Sequence, residues 1–339
     1  MSDAPILIWG AGAIGGIIGA YLARAGHKVH MVDIVAEHVE AMRTTGLVIE
    51  GPVEEFTQVL PASTPEELEG QFETVFLAVK GHHTAGALEM LIPHLAPGGY
   101  VVSAQNGLNE KVIAERIGAE NTVGCFVNFG ADWLEPGRIL YGNRAAVAIG
   151  ELDGTMSDRI AHLHSLLQTL EPDAVATDNI WGYLWGKMGY GALLYCTALT
   201  QDSMAASMAR MEHRPAFAQL GHEVMSLAKA VGASPIGFNG FDPDAFGSND
   251  AEGINRAMDL MVAHNSKTAK THSGIWRDLA VRKRKTEVDA HIGAMVEVAA
   301  EVGLSVPVLA KMVELIHDIE EGRREQEPEL VDILVSQCN

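Results

Sequence analysis

The apolar run Ile6-Leu7-Ile8-Trp9 stops at Gly10-Ala11-Gly12-Ala13-Ile14-Gly15, and an apolar stretch at helical spacing, Gly16 to Ala25, follows at once. A strand that meets three glycines at this spacing and passes straight into a helix has few ways to fold. The first glycine permits the tight turn, the second lets the backbone approach a ligand, and the third lets the helix pack closely on the strand. Unpaired N–H groups at the helix start, together with the helix dipole, then favour an anion such as a pyrophosphate. Gly26 ends the helix, and Val29 to Val32 reads as a second strand that closes a βαβ unit. Gly10, Gly12, Ala13, Ile14 and Gly15 are therefore expected at the phosphates of a dinucleotide.

The alternation continues. Apolar strand patterns lie at Thr74 to Val79, Tyr100 to Ser103 and Thr122 to Phe126, with helical spacing between the earlier ones at Val35 to Thr44 and Thr84 to His94. Strands that alternate with helices build a parallel sheet. Beyond about residue 180 the pattern changes to long amphipathic stretches, Ile180 to Leu199, Pro215 to Val231, Thr286 to Val302 and Pro307 to Gly322. A chain of 339 residues exceeds one ordinary core. The expected fold class is α/β: a Rossmann-type doubly wound parallel sheet over 1–178, followed by an all-α substrate and catalytic domain over 179–339. Ser234 to Asn249, rich in Gly, Pro, Asn and Asp, reads as an irregular loop.

Charge narrows the partners. Acidic residues outnumber basic ones by 44 to 24, and the resulting formal charge of -20 repels nucleic acid and anionic membrane surfaces. The basic run Arg282-Lys283-Arg284-Lys285 reads as a solvated helix face. Cys125, Cys196 and Cys338 are scattered, without metal or disulfide spacing, which points to a reducing compartment. No segment reads as a leader or a membrane span, so a cytoplasmic location is expected.

Asp33 follows the second strand in His30-Met31-Val32-Asp33, about 20 residues after the glycine turn, where an acid can accept hydrogen bonds from the adenosine ribose hydroxyls. The same carboxylate repels the 2′-phosphate of NADP, and no Arg or Lys lies between Val29 and Met42 to offset it. NAD is favoured over NADP. A second reading makes Asp33 the N-cap of a helix from Ile34 onward, and the two are compatible.

Several segments, in order, resemble the ketopantoate reductase (2-dehydropantoate 2-reductase) family: ILIWGAGAIGGIIGAYLARAGHKV, FLAVKGHHT, VVSAQNGLNE, the hairpin-like PGRILYGNRAAVAIGE, WGYLWGKMGYGALLYCTALT and HSGIWRDLAVRKRKTEVD. The resemblance implies a role for Lys80 toward cofactor and substrate, and for Asn106 beside the nicotinamide. It implies that Lys187 is the catalytic lysine: reduction of a ketone moves a hydride to carbon and needs a proton on oxygen, which an ammonium can supply while stabilising the developing alkoxide. Glu287 resembles the acid that holds the substrate hydroxyl, and Asp278 a supporting acid. Between these two the chain carries one residue more than the family pattern, so Asp289 competes with Glu287.

The departures bear on substrate. Four and eight residues after the catalytic lysine the family has asparagines, whereas this chain has Gly191 and Tyr195; at the family's substrate-binding serine it has Gly274, next to Ser273. Gly191, Tyr195, His272, Ser273 and Asp278 are therefore expected around a substrate other than ketopantoate. His82 and His83 suggest a metal, but no carboxylate or thiolate pattern accompanies them, and no metal is expected. The expected activity is hydride transfer between NAD and a small hydroxy acid or hydroxy ketone. The alternatives are NADP-linked reduction of 2-dehydropantoate and an opine-type dehydrogenase. The expected partner is a small molecule, and a homodimer is compatible with this reading.

Overall fold

The computed structural model describes residues 4–268 and 270–338. Two units divide the chain, Met1–Ile180 and Trp181–Asn339. The first holds β1 (Ile6–Trp9), α1 (Ala13–Arg24), β2 (Val29–Val32), α2 (Ala36–Thr44), β3 (Leu47–Glu50), β4 (Phe56–Gln58), β5 (Ala62–Ser63), β6 (Phe72–Leu77), α3 (Thr84–Leu91) and β7 (Leu95–Ser103). It continues through α4 (Asn109–Ile117), β8 (Thr122–Val127), β9 (Gly130–Glu135), β10 (Arg138–Asn143), β11 (Val147–Glu151), α5 (Asp158–Leu167) and β12 (Val175–Ala176).

The main sheet runs β12-β11-β8-β7-β6-β1-β2-β5, and β1 is parallel to both β2 and β6. In the register Trp9 stands opposite Val32 on one side and Leu77 on the other. These central strands therefore end level, and Gly10, Asp33 and Ala78 leave the sheet at the same carboxyl edge. The chain order reverses at β1, which makes that edge the topological switch point where open α/β sheets bind ligands. All of β1 is buried, and its side chains alternate between two cores: Ile6 and Ile8 pack in one, Leu7 and Trp9 in the other. Burial on both faces is why this strand reads as a continuous apolar run.

A smaller sheet, β4-β3-β10-β9, lies apart from the main one in strand pairing. The segment that reads as one hairpin, Pro136 to Glu151, is divided between the two sheets: β10 pairs with β9 and β3, while β11 pairs antiparallel with β8. Local alternation cannot distinguish these partners, because both strands bury apolar faces.

The second unit is helical: α6 (Ile180–Thr197, which begins at the unit boundary), α7 (Met204–Ala209), α8 (Arg214–Ala230), α9 (Pro243–Ser248), α10 (Ala251–Asn265), α11 (Gly274–Trp276), α12 (Ala294–Val302), α13 (Pro307–Glu320) and α14 (Pro328–Val335). Two π-helical turns, Arg277–Val281 and Asp289–Gly293, interrupt the regular pattern. The second of them leads into α12, so Thr286 to Val302 is not one uniform helix.

Two further expectations are corrected. Within Ser234 to Asn249 the chain forms α9, because Asp242 accepts from the N–H groups of Asp244 and Ala245 and Pro243 takes the first helical position. An Asp-Pro signal that reads as a turn also starts a helix. The basic run at 282–285 is not a helix face. Asp278 Oδ1 accepts from Arg282 at 3.0 Å and from Arg284 Nε at 2.9 Å, the Arg284 N–H donates to the Asp278 carbonyl, and Lys283 takes a left-handed φ of 49°. The left-handed Lys283 and the backbone bond from Arg284 back to Asp278 end the helix before the run is complete.

Candidate active site

The three glycines of the first turn are required for different reasons. Gly10 has φ of +95°, and a Cβ there would meet Val79 Cγ1 at 2.8 Å, so position and conformation both exclude a side chain. A Cβ on Gly15 would be forced onto the Gly10 carbonyl oxygen, with Ile8 Cγ2 at 3.0 Å and Ala78 Cβ at 3.1 Å. At Gly12 nothing lies within 4 Å. The first and third glycines thus serve the fold, whereas the second leaves clear space in front of α1. That helix start has no side-chain cap and no acidic residue in its first turn, so its N–H groups and dipole suit a pyrophosphate. The donor set fits a dinucleotide, with Ala13 and Ile14 opening the helix beside it.

Asp33 sits at the end of β2, where its Oδ1 accepts from the Val35 N–H at 3.0 Å. The following helix begins only at Ala36, with Val35 as its cap residue, so Asp33 closes a local turn and does not cap a helix from Ile34. Among the described residues no other protein donor reaches this carboxylate, and its second oxygen retains its accepting capacity.

Lys80 lies just past β6, half-buried, on extended backbone before the short turn Gly81–His83. Asn106 lies just past β7 and is exposed. A buried network joins these two strand ends. Gln105 Nε2 donates to the Val79 carbonyl and to Thr84 Oγ1, both at 2.8 Å; Thr84 donates to Asn109 Oδ1; and Asn109 Nδ2 donates to the Asn106 carbonyl at 2.6 Å. The network holds the Asn106 backbone in place. Gln105 is a residue that motif reasoning passed over, although it adjoins Asn106 in the sequence.

In the second unit Lys187 lies on α6, a helix buried on most sides. Glycine weakens a helix interior, yet α6 carries several where other chain segments cross it closely. A Cβ at Gly186 would strike the Ile236 carbonyl, and one at Gly189 would meet Met225 Cε at 2.8 Å. At Gly191, one turn after Lys187, a Cβ would lie 2.8 Å from His291 Cε1. The space left by the missing side chain is filled by an imidazole. His291 was missed from sequence, although it lies one helical turn after Glu287 and its N–H donates to the Glu287 carbonyl at 2.9 Å.

Tyr195 is fully buried, with its ring 5.6 Å from that of His291. Burial and the nearby Glu287 push its hydroxyl well above the usual range, partly countered by a hydrogen bond with Thr286. Asp289 is exposed and pairs with His317 at 2.9 Å. Of the two competing carboxylates, Glu287 is the one that acts on the Tyr195 surroundings. Asp278 is buried but bound by Arg282 and Arg284. Ser273 is buried and caps α11 by accepting from the Trp276 N–H at 3.1 Å. The His272 ring packs against that of Trp276, tilted by 31° with centroids 4.0 Å apart, and its Nδ1 lies 2.9 Å from Thr271 Oγ1. His82 and His83 lie ring against ring at 4.0 Å, and among the described residues no three metal-ligating side chains gather. No described helix is long and apolar enough to cross a membrane.

Burial, with the Lys187 charge adding to it, lowers the His291 pKa from 6.5 to about 4. The folded ring therefore holds its proton less tightly than the unfolded one, and the unfolded chain binds more protons between those values. The His291 contribution to stability is fully present above about pH 6.5 and is lost as the pH drops toward 4. The full effect is on the order of 3 kcal/mol. Urea midpoints measured across this range should fall more steeply for the unmodified protein than for His291→Gln. Parallel curves would show that His291 does not titrate in this window.

A Rossmann unit joined to a helical unit that carries a lysine and a carboxylate is the build of a nicotinamide-dependent oxidoreductase acting on CH–OH groups. The family profile described as Ketopantoate reductase PanE/ApbA matches residues 6–154, its C-terminal counterpart matches residues 179–320, and the chain belongs to this family. The 2-dehydropantoate 2-reductase of Mesorhizobium japonicum is 28% identical over 342 residues, covering 92% of this chain and 96% of that protein. The Archaeoglobus fulgidus 2-dehydropantoate 2-reductase is 25% identical, covering 94% and 98%. Among solved structures, D-mandelate dehydrogenase with NADH and anilino(oxo)acetate superposes with a TM-score of 0.80 at 22% identity, covering 94% of this chain and 98% of that one. A PanE/ApbA family ketopantoate reductase from Ralstonia eutropha JMP134 gives 0.77 at 24% identity, covering 94% and 99%. At these identities the structural likeness concerns the fold.

Proposed function

We propose that this protein is an NAD-dependent dehydrogenase of small hydroxy acids or hydroxy ketones, with Lys187 as general acid and base. The observation that carries the reading is the face of α6, where Lys187 is followed at one-turn spacing by Gly191 and Tyr195 and closed over by His291. This wall has one titratable cation and two rings, and it lacks the amides that the resemblance to ketopantoate reductases leads one to expect. A bound nicotinamide supplies or removes the hydride. In the reducing direction Lys187 gives its proton to the carbonyl oxygen as that oxygen becomes an alkoxide, and in the oxidising direction the neutral amine takes the hydroxyl proton. Glu287, as a carboxylate, accepts a hydrogen bond from the substrate hydroxyl and orients it. Asn106 and Lys80 belong to the cofactor side, and Asp33 accepts from the ribose hydroxyls.

A second reading, NADP-linked reduction of 2-dehydropantoate, is favoured by the names of the curated relatives. A screen of small 2-oxo acids, 2-dehydropantoate among them, with NADH and with NADPH decides between the two. Turnover of 2-dehydropantoate with NADPH above all other pairs would establish the second reading. For the cofactor itself, NADH is expected to bind more tightly than NADPH, and Asp33→Ala should narrow the gap by about tenfold, the scale of one charged contact. Equal affinities in the unmodified protein would sink the NAD assignment.

A further inference from the structure

His291 is an unusual side chain to find here, half-buried as a residue but with one ring nitrogen enclosed. Its Nε2 is buried and has no hydrogen-bond partner among the described residues, and such groups are rare in native interiors unless a ligand or a catalytic role accounts for them. A residue that merely filled space beside Gly191 would serve as well without a nitrogen. Its neighbours are those of the proposed chemistry: Lys187 acts on it electrostatically from α6, the Tyr195 ring lies 5.6 Å away, and Glu287 precedes it by one turn. The residue also sits in a π-helical turn, Asp289–Gly293, a feature enriched at functional sites. The fit against α6 requires glycine at 191, because a Cβ there would lie 2.8 Å from Cε1 and 3.5 Å from Nε2 of this ring. Helix and turn are thus matched to hold an imidazole one turn from the lysine.

We propose that His291 binds the substrate, its Nε2–H donating to an oxygen of a small 2-oxo or 2-hydroxy acid held by Lys187. This rests on the oxo-acid reading given above. A 2-oxo acid presents only acceptors, so the proposal requires the neutral ring with its hydrogen on Nε2. With Lys187 supplying the positive charge, a neutral donor beside it adds direction without adding a second cation.

Oxamate, an unreactive 2-oxo acid mimic, tests this in the presence of saturating NADH. The unmodified protein should bind oxamate, His291→Phe should weaken that binding about tenfold or more, and His291→Gln, which places an amide N–H near the position of Nε2, should recover most of the loss. NADH affinity should be the same in all three. If the unmodified protein does not bind oxamate, the oxo-acid reading fails and the proposal with it. If it binds and His291→Phe binds equally well, the reading stands and the role of His291 is overturned. Should His291→Phe not fold, the imidazole resonances of His291 in the unmodified protein decide: they shift when oxamate is added if the proposal holds, and stay in place if it does not.

Discussion

Replacing Lys187 by alanine is expected to lower kcat by about 100-fold or more, the usual scale for a lost general acid or base, while NADH binding stays nearly unchanged. The expectation follows from a proton inventory. Hydride transfer leaves one proton to be handled at the substrate oxygen, and of the residues proposed beside it Lys187 can both donate that proton and stabilise the negative oxygen. Glu287, ionised, can only accept, so Glu287→Gln should act mainly on KM. Lys187→Arg separates charge from proton transfer, because a guanidinium keeps the charge but does not give up its proton near neutral pH. It should therefore remain nearly as slow as the alanine variant. The measurement is steady-state turnover of the oxo acid identified by the screen, alongside NADH titration. An alanine variant that works at close to the original rate would remove this mechanism.

The second large effect concerns the glycine turn, where Gly12→Ala and Gly15→Ala should fail in different ways. At Gly15 a Cβ has nowhere to go, since the Gly10 carbonyl oxygen lies in its place and Ala78 Cβ stands 3.1 Å behind it. Helix α1 would have to move off β1, and overpacking of this kind costs about 1–3 kcal/mol or more. Thermal midpoint and NADH affinity should both fall. At Gly12 nothing lies within 4 Å, and its φ of -64° and ψ of -160° suit alanine, so the fold should be as stable as before. The methyl would occupy the space through which a pyrophosphate approaches the backbone, and NADH affinity should drop more than tenfold. Calorimetry and NADH titration of the two variants give the comparison. Gly12→Ala protein that binds NADH as tightly as the original would show that the cradle lies elsewhere.

Much of the first unit was legible because its signals are local. The strand-glycine-helix order at Ile6 to Gly15 and the acid at Asp33 depend on neighbours a few residues away, and they stand in the structure where their spacing placed them. The small sheet was not legible, because β3 and β10 pair across a long stretch of chain and their alternation looks the same whichever sheet they join. Short helices such as α9 were lost for a related reason: Asp-Pro punctuates a loop and starts a helix with the same residues.

The candidate site divides in the same way. Sequence alone pointed to the residue types that could do the chemistry, because the glycine fingerprint and the segments around Lys187 and Glu287 are each contiguous. It could not show that Gly191 is a socket for His291, since these residues are 100 positions apart and neither forms a motif with the other. Nor could it decide between Glu287 and Asp289, which differ in the sequence only by two positions. Packing in the folded chain decided the first, and on the second it adds where Asp289 lies. A side chain too many at 191 would collide with the ring at 2.8 Å, and the turn that carries His291 leaves Asp289 on the surface with His317. Periodicity encodes which face of a segment is buried; what the face is buried against depends on contacts that only the folded chain brings together.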